Sequence, residues 1–327
     1  MGKRVGGPRF AKRGQRQLPS LIESLMTFQR TLRRTVYCAG IGLHSGHKVT
    51  LTLKPAPADT GIVFRRTDLG GLEIPAHVSH VAGISYATVL ARGNAKVETV
   101  EHLLSALVSQ GIDNAYIELN QSEVPIMDGS AAPFVYLIRE DAGIKKLSSP
   151  RRYLRVTRPL SLSHGDKQIS LYPADELKVT YTINFDHPLL RHQTRTISLT
   201  EESFIEDIAP ARTFGFLKDV EALRQKGLAL GGSLDNAIVL GETGVLNNTL
   251  RFEDEFVRHK ILDVIGDLAL VGHPIVGHIV AHRGGHGLHT AFAAQILEQR
   301  DAWELVETPI AAPAGTLASV GAAHAAG

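Results

Sequence analysis

The feature that most constrains this chain is Arg251–His273, RFEDEFVRHKILDVIGDLALVGH. Glu253, Asp254 and Glu255 precede an apolar periodic run, where negative charge suits a helix N-terminus. At roughly 100° per residue, Ile261, Val264, Ile265 and Leu268 fall on one side. His259, Lys260, Asp263, Gly266 and Asp267 gather on the other, in a stripe about 120° wide. A solvated helix face is usually broader and more mixed. A narrow band of His, Lys and two Asp in a buried helix is costly unless those groups meet one another, a metal or a substrate. Taken alone, His259-x-x-x-Asp263 also reads as a surface i,i+4 pair worth roughly 0.3 kcal/mol.

A chain of 327 residues favours two domains, and 43% hydrophobic content supplies ample core. The net charge of +2 is too small to imply a polyanion partner, so no nucleic acid is expected. The basic excess is local: Lys3, Arg4, Arg9, Lys12, Arg13 and Arg16 lie within residues 1–16, with no acid among them. A nucleic-acid or anionic-membrane arm is one reading of that segment, and a solvated tail is the other. One cysteine, Cys38, excludes an intramolecular disulfide and a thiolate metal cluster. No 18-residue apolar run is present and the N-terminus lacks the apolar stretch of a signal peptide, so a cytoplasmic protein without a transmembrane segment is expected.

The order of elements suggests a duplication. Residues 1–28 read as a basic flexible extension, and strands begin near Arg30. KVETVEHLLSALVSQG reads as a helix with Thr99 as N-cap and Gly111 as its stop. A strand over 112–119, a loop SEVPIMDGSA and a helix Ala131–Asp141 complete a first domain, 29–150. Strands resume at Arg151 and lead into the opening helix. A strand over 274–281 and a Gly-rich turn before a closing helix, 287–300, end a second domain, 151–306. An insertion near 205–250 holds the helix FLKDVEALRQKG and a hairpin, AIVLGETGVLNN. The Ala-rich tail 307–327 lacks amphipathic pattern and reads as disordered.

Glu101–His102 in the first half's helix is weak by itself, since no second His follows at i+4. Joined to His259 and Asp263 it offers two imidazoles and a carboxylate with an open fourth position, the stoichiometry of catalytic zinc. Glu101, beside His102, is then placed to act as a general base. His286 stands in Gly284-Gly285-His286-Gly287, where it is either tolerated or functional, and Asp267 is a natural partner. His44, in GIGLHSG, is a second-rank candidate; most of the fifteen histidines, His289 among them, have no usable spacing. Apolar residues of the ARTFGF segment with Val220, Ala229 and Ala237 line a groove or belong to the core.

VETVEHLLSAL, VPIMDGSA, ARTFGF, LGGSLDNAIV and above all RFEDEFVRHKILDVIGDL with GGHGLH resemble the UDP-3-O-acyl-N-acetylglucosamine deacetylases of lipid A biosynthesis in Gram-negative bacteria. The likeness runs from about Gln29 to Val306 in the family's order. It implies an α+β fold of two domains of similar topology, a layered β-α-α-β sandwich with the helices between two sheets. It implies hydrolysis of the N-acetyl group by a water that zinc and Glu101 activate, with His102, His259 and Asp263 as zinc ligands. His286 would stabilise the oxyanion or protonate the leaving amine, tuned by Asp267. Lys260 would contact substrate, and Thr213 would polarise the amide carbonyl. Phe214, Phe216, Val220, Ala229, Ser233 and Ala237 would form the acyl passage. The implied partner is a UDP-linked acylated amino sugar. Preferred acyl length and oligomeric state are not legible. A different zinc deacetylase and a nucleic-acid binder led by the basic arm are the competing readings.

Overall fold

The computed structural model describes residues 27–84, 86–246 and 249–307. Its two principal sheets share one topology. In the first, the strands run in the order Val36–Ile41, Lys48–Pro55, Ala115–Leu119, Ile62–Arg66, Leu72–Pro75. The central strand Ala115–Leu119 lies antiparallel to Lys48–Pro55 and parallel to Ile62–Arg66. In the second, Ile275–His282 is central, antiparallel to Lys167–Tyr172 and parallel to Leu177–Ile183. Leu160–His164 and Gln193–Ser198 flank these in the equivalent outer places. Tyr153–Val156 and Trp303–Val306 extend the second sheet from the start of its central strand.

A parallel neighbour demands a crossover, usually a helix. Helix α1 (Glu101–Ser109) precedes the central strand of the first sheet. Helix α2 (Ala132–Tyr136), which continues as a π-turn over Leu137–Ala142, closes the first half, and the short α3 (Glu201–Ser203) follows a Thr200 capping box within the second. Helix α4 (Leu217–Gln225) lies in the insertion. Helix α5 (Glu255–Leu268) precedes the central strand of the second sheet, and α6 (His286–Glu298) closes that half. The duplicated topology makes α1 and α5 counterparts, and they pack against each other. Every residue of α5 but Lys260 is buried, and every residue of α1 but Val108. The apolar side of α5 covers Leu177–Ile183, so its polar stripe is left facing α1. One continuous apolar core joins both halves, from Phe64 and Phe134 to Phe256 and Phe292. The chain is thus an α+β fold of two similar domains.

Several local expectations change. Thr99 does not cap α1: its φ of 59° is left-handed, its hydroxyl donates to Glu123 Oε1 at 3.0 Å, and Val100 holds the cap position with no side-chain bond. Gly111 does end that helix, with φ 69°. The expected hairpin after Ala237 shrinks to a bridge between Leu240 and Val245, because Ile238–Leu240 pairs instead in parallel with Phe214–Phe216 across α4. Phe28 starts a strand paired with Ile144–Pro150, so order begins before Arg30. The basic arm over residues 1–26 and the tail from 308 lie outside the described residues.

Candidate active site

The site forms where α1 crosses α5. A β-carbon on Gly266 would lie 2.0 Å from the Glu101 carbonyl oxygen, so only glycine permits this approach. The crossing sets Glu101 and His102, on the first turn of α1, against His259 and Asp263 on consecutive turns of α5. Ligand-capable atoms of His102, His259 and Asp263 all lie within 4.8 Å of one another, and all three residues are buried. Asp263 Oδ1 is 3.3 Å from His259 Nε2 and 3.7 Å from His102 Nε2, yet makes no hydrogen bond among the described residues.

Electrostatics make these groups lone-pair donors. Burial lowers the His102 pKa to about 3, reinforced by His259. Burial lowers that of His259 as well. His259 Nδ1 donates to the Ala211 carbonyl at 3.0 Å, which leaves Nε2 with its lone pair toward Asp263. Burial alone would raise the Asp263 carboxyl, but the Lys260 ammonium, which donates to its Oδ2, holds it well below the ordinary range. Two neutral imidazoles and a carboxylate converging without a proton between them repel one another, and a cation relieves that repulsion. The three residues fit a metal, and the donor set suits zinc.

A second cluster adjoins the first. Burial pushes the Glu101 pKa up to about 7, against the pull of His286 and with help from Asp267 and Asp263. Its Oε2 accepts the Thr88 amide at 3.1 Å. His286, the first residue of α6, places Nε2 3.8 Å from Glu101 Oε1 and 4.0 Å from Asp263 Oδ2. Burial disfavours its charge, yet the Asp267 and Glu101 carboxylates push its pKa up to about 9. His286 Nδ1 donates to Asp267 Oδ2 at 2.9 Å, and His289 Nδ1 donates to the same oxygen at 2.8 Å. Burial would raise the Asp267 carboxyl, but His286 and these hydrogen bonds hold it below the ordinary range.

Sequence reasoning passed over three of these participants. His289 stands three residues after His286, one turn along α6, which is a spacing that could have been used. Thr88 donates from Oγ1 to Asp267 Oδ1 at 2.5 Å across 179 residues, and Tyr181 bonds His289 Nε2 at 3.0 Å across 108. No local pattern carries contacts of that separation.

Of the remaining candidates, Phe214 reaches the cluster. The Phe214 ring lies 6.2 Å from that of His259 and 5.1 Å from that of Phe256. Phe216 meets Phe185 and His187, each at 6.0 Å. Thr213 is half-buried; its amide donates to the Gly129 carbonyl at 2.8 Å. No residue of α4 is buried, and Phe214, Phe216, Val220, Ala229 and Ala237 are half-buried while Ser233 is exposed. Phe214 and Phe216 pack against the apolar core while keeping part of their surface exposed, so both the core and the groove reading of that segment stay open. His44 is buried, with Nε2 unpartnered among the described residues and Nδ1 3.4 Å from the Ala229 amide. Burial also pushes the Cys38 thiol up to about 11, which disfavours its thiolate form.

The family of UDP-3-O-acyl N-acetylglycosamine deacetylases matches residues 29–298. UDP-3-O-acyl-N-acetylglucosamine deacetylase of Pseudomonas entomophila (strain L48) is 52% identical over 285 residues, covering 86% of this chain and 94% of that protein. The enzyme of the same name from Acidithiobacillus ferrooxidans (strain ATCC 53993 / BNL-5-31) is 51% identical over 286 residues, with the same coverage. That of Hahella chejuensis (strain KCTC 2396) is 50% identical over 285 residues, again covering 86% and 94%. No helix among the described residues is long and apolar enough to cross a membrane.

Proposed function

The chain belongs to the UDP-3-O-acyl N-acetylglycosamine deacetylase family, and from that premise we propose that it is a zinc-dependent amidohydrolase. It removes the N-acetyl group of UDP-3-O-acyl-N-acetylglucosamine in the cytoplasm, an early step of lipid A biosynthesis. The observation that carries this reading is the meeting of buried His102, His259 and Asp263 beside Glu101 and His286 at one helix crossing.

His102, His259 and Asp263 would hold the zinc. Bound there, zinc acts as a Lewis acid that polarises the amide carbonyl and lowers the pKa of water to about 7. Glu101 takes the proton of the attacking water; a carboxyl raised to about 7 suits a base that must later release that proton. The new C–O bond converts the acetamide carbon to a tetrahedral centre with an oxyanion. His286, cationic at neutral pH, faces that charge, and Thr213 stands as a further donor. Cleavage of the C–N bond gives acetate, and the departing nitrogen takes a proton from Glu101 or His286 to leave as the free amine. Lys260 borders the cluster as a cation for the substrate. The partly exposed apolar side chains of Phe214, Phe216, Val220, Ala229 and Ala237, with Ser233 beside them, would take the acyl chain, which favours this substrate over an unacylated amide. Residues 29–150 and 151–306 would be the two domains. The test is metal analysis joined to a deacetylase assay with UDP-3-O-acyl-N-acetylglucosamine. One zinc per chain and acetate release are expected; a metal-loaded protein that releases no acetate would overturn the assignment.

A further inference from the structure

Asp267 is the pivot of a buried network that the proposed chemistry uses only in part. Its Oδ2 accepts from both His286 Nδ1 and His289 Nδ1, and its Oδ1 accepts from the Thr88 hydroxyl. Behind it, His289 Nε2 lies 3.0 Å from the Tyr181 hydroxyl, on the strand Leu177–Ile183. Tyr181, Asp267 and His289 are each wholly inaccessible to solvent.

Donor and acceptor chemistry assigns every proton. An ionised carboxylate only accepts, so both Nδ1 atoms carry hydrogen. Burial pushes the Tyr181 phenol far above its ordinary range, so its hydroxyl stays protonated and donates to His289 Nε2. Burial likewise lowers the His289 pKa. His289 is then a neutral ring with hydrogen on Nδ1 and a lone pair on Nε2, fully satisfied on both sides. That pattern also shows why Asp267, His286 and His289 form a hydrogen-bond network instead of a second metal site, although their ligand-capable atoms lie within 4.8 Å of one another. Gly284 supplies the room. A β-carbon there would lie 2.8 Å from His289 Nε2 and 2.9 Å from the Tyr181 hydroxyl, so the turn that carries His286 is shaped around the Tyr181–His289 bond.

We propose that His289, braced by Tyr181, is a positioning residue for His286: it fixes the Asp267 carboxylate that in turn orients the His286 ring. The physical need is plain. His286 sits at the first position of α6, and the hydrogen bond from its Nδ1 to Asp267 is the one that orients its ring among the described residues. A carboxylate held by one imidazole could rotate with it. A second imidazole on the same oxygen and a hydroxyl on the other lock it to the second sheet and to the first half of the chain. This inference rests on the proposed role of His286.

The test uses the zinc-loaded full chain. Nitrogen-15 histidine NMR should show, besides the Nδ1–H ring of His259, a neutral Nδ1–H ring whose signal disappears in His289→Asn. His289→Leu, which removes the donor, should lower kcat on the order of 10–100-fold, with KM and zinc content unchanged. His289→Asn, which keeps an N–H near the place of Nδ1, should recover most of that loss. The proposal is overturned if the ring carries its hydrogen on Nε2, if His289→Leu turns over at the wild-type rate, or if His289→Asn falls as far as His289→Leu. Should His289→Leu not fold, the tautomer and the His289→Asn rate decide the matter. A wild-type chain that forms the Nδ1–H ring but releases no acetate fails the proposed function, not the assignment of this network.

Discussion

Gly266 of α5 touches the Glu101 carbonyl of α1 so closely that a methyl group would overlap it, at 2.0 Å. The proposed base and the proposed metal ligands stay in register only while that approach holds. Gly266→Ala must push the helices apart, at about 1–3 kcal/mol for overpacking. The expected result is a lower denaturation midpoint together with weaker zinc retention, measured on the same preparation. Unchanged midpoint and zinc content would show that the crossing is not held by this contact.

His259→Ala and Glu101→Gln should separate binding from chemistry. The first removes a proposed ligand whose Nε2 faces Asp263 at 3.3 Å, and zinc should be lost on dialysis. The second leaves all three ligands and should keep zinc while kcat falls about 10²–10⁴-fold. Stoichiometric zinc in His259→Ala would refute the ligand assignment.

The pH–rate profile should fall on its alkaline side as His286 loses its proton, near its pKa of about 9. Asp267 is the leading group that raises it, so Asp267→Asn should lower that pKa. With the protonated ring as the proposed working form, activity should then be lost at a lower pH than in the wild type. An alkaline limb that does not move in Asp267→Asn would exclude His286 as its source.

Helix α4 contributes no buried residue, and Val220 is one of its half-buried apolar side chains in the proposed acyl passage. Val220→Arg should change stability by no more than about 0.5 kcal/mol. It should nevertheless depress kcat/KM for long-chain substrates more than for a short-chain analogue. Equal effects on both would remove α4 from the acyl passage.

Much of this was legible along the chain. Helical periodicity and the narrow polar stripe located α5, and the repeated order of elements anticipated two halves of one plan. Thr99 misled because a Thr before an apolar run is a common cap, and a left-handed φ is a tertiary outcome. The 214–237 segment stayed ambiguous because apolar spacing alone does not distinguish a core from an open groove, and Phe214 and Phe216 pack on the core with part of their surface exposed. His289 was passed over because its value lies in Tyr181 and Asp267, which meet it from other elements.

The sequence by itself determined most of the helices and strands, which side of α5 is apolar, and that His259, Lys260, Asp263 and Asp267 share the other side. Periodicity and composition are local, and they suffice for that. Only the tertiary structure decided which groups face which. The α1–α5 crossing at Gly266 brings Glu101 and His102 to His259 and Asp263, and the folding of α6 back over α5 sets His286 and His289 on one oxygen of Asp267. The physical reason is that hydrogen bonds and charge pairs act over a few ångströms in space, whereas their partners here stand as far as 179 residues apart in the chain.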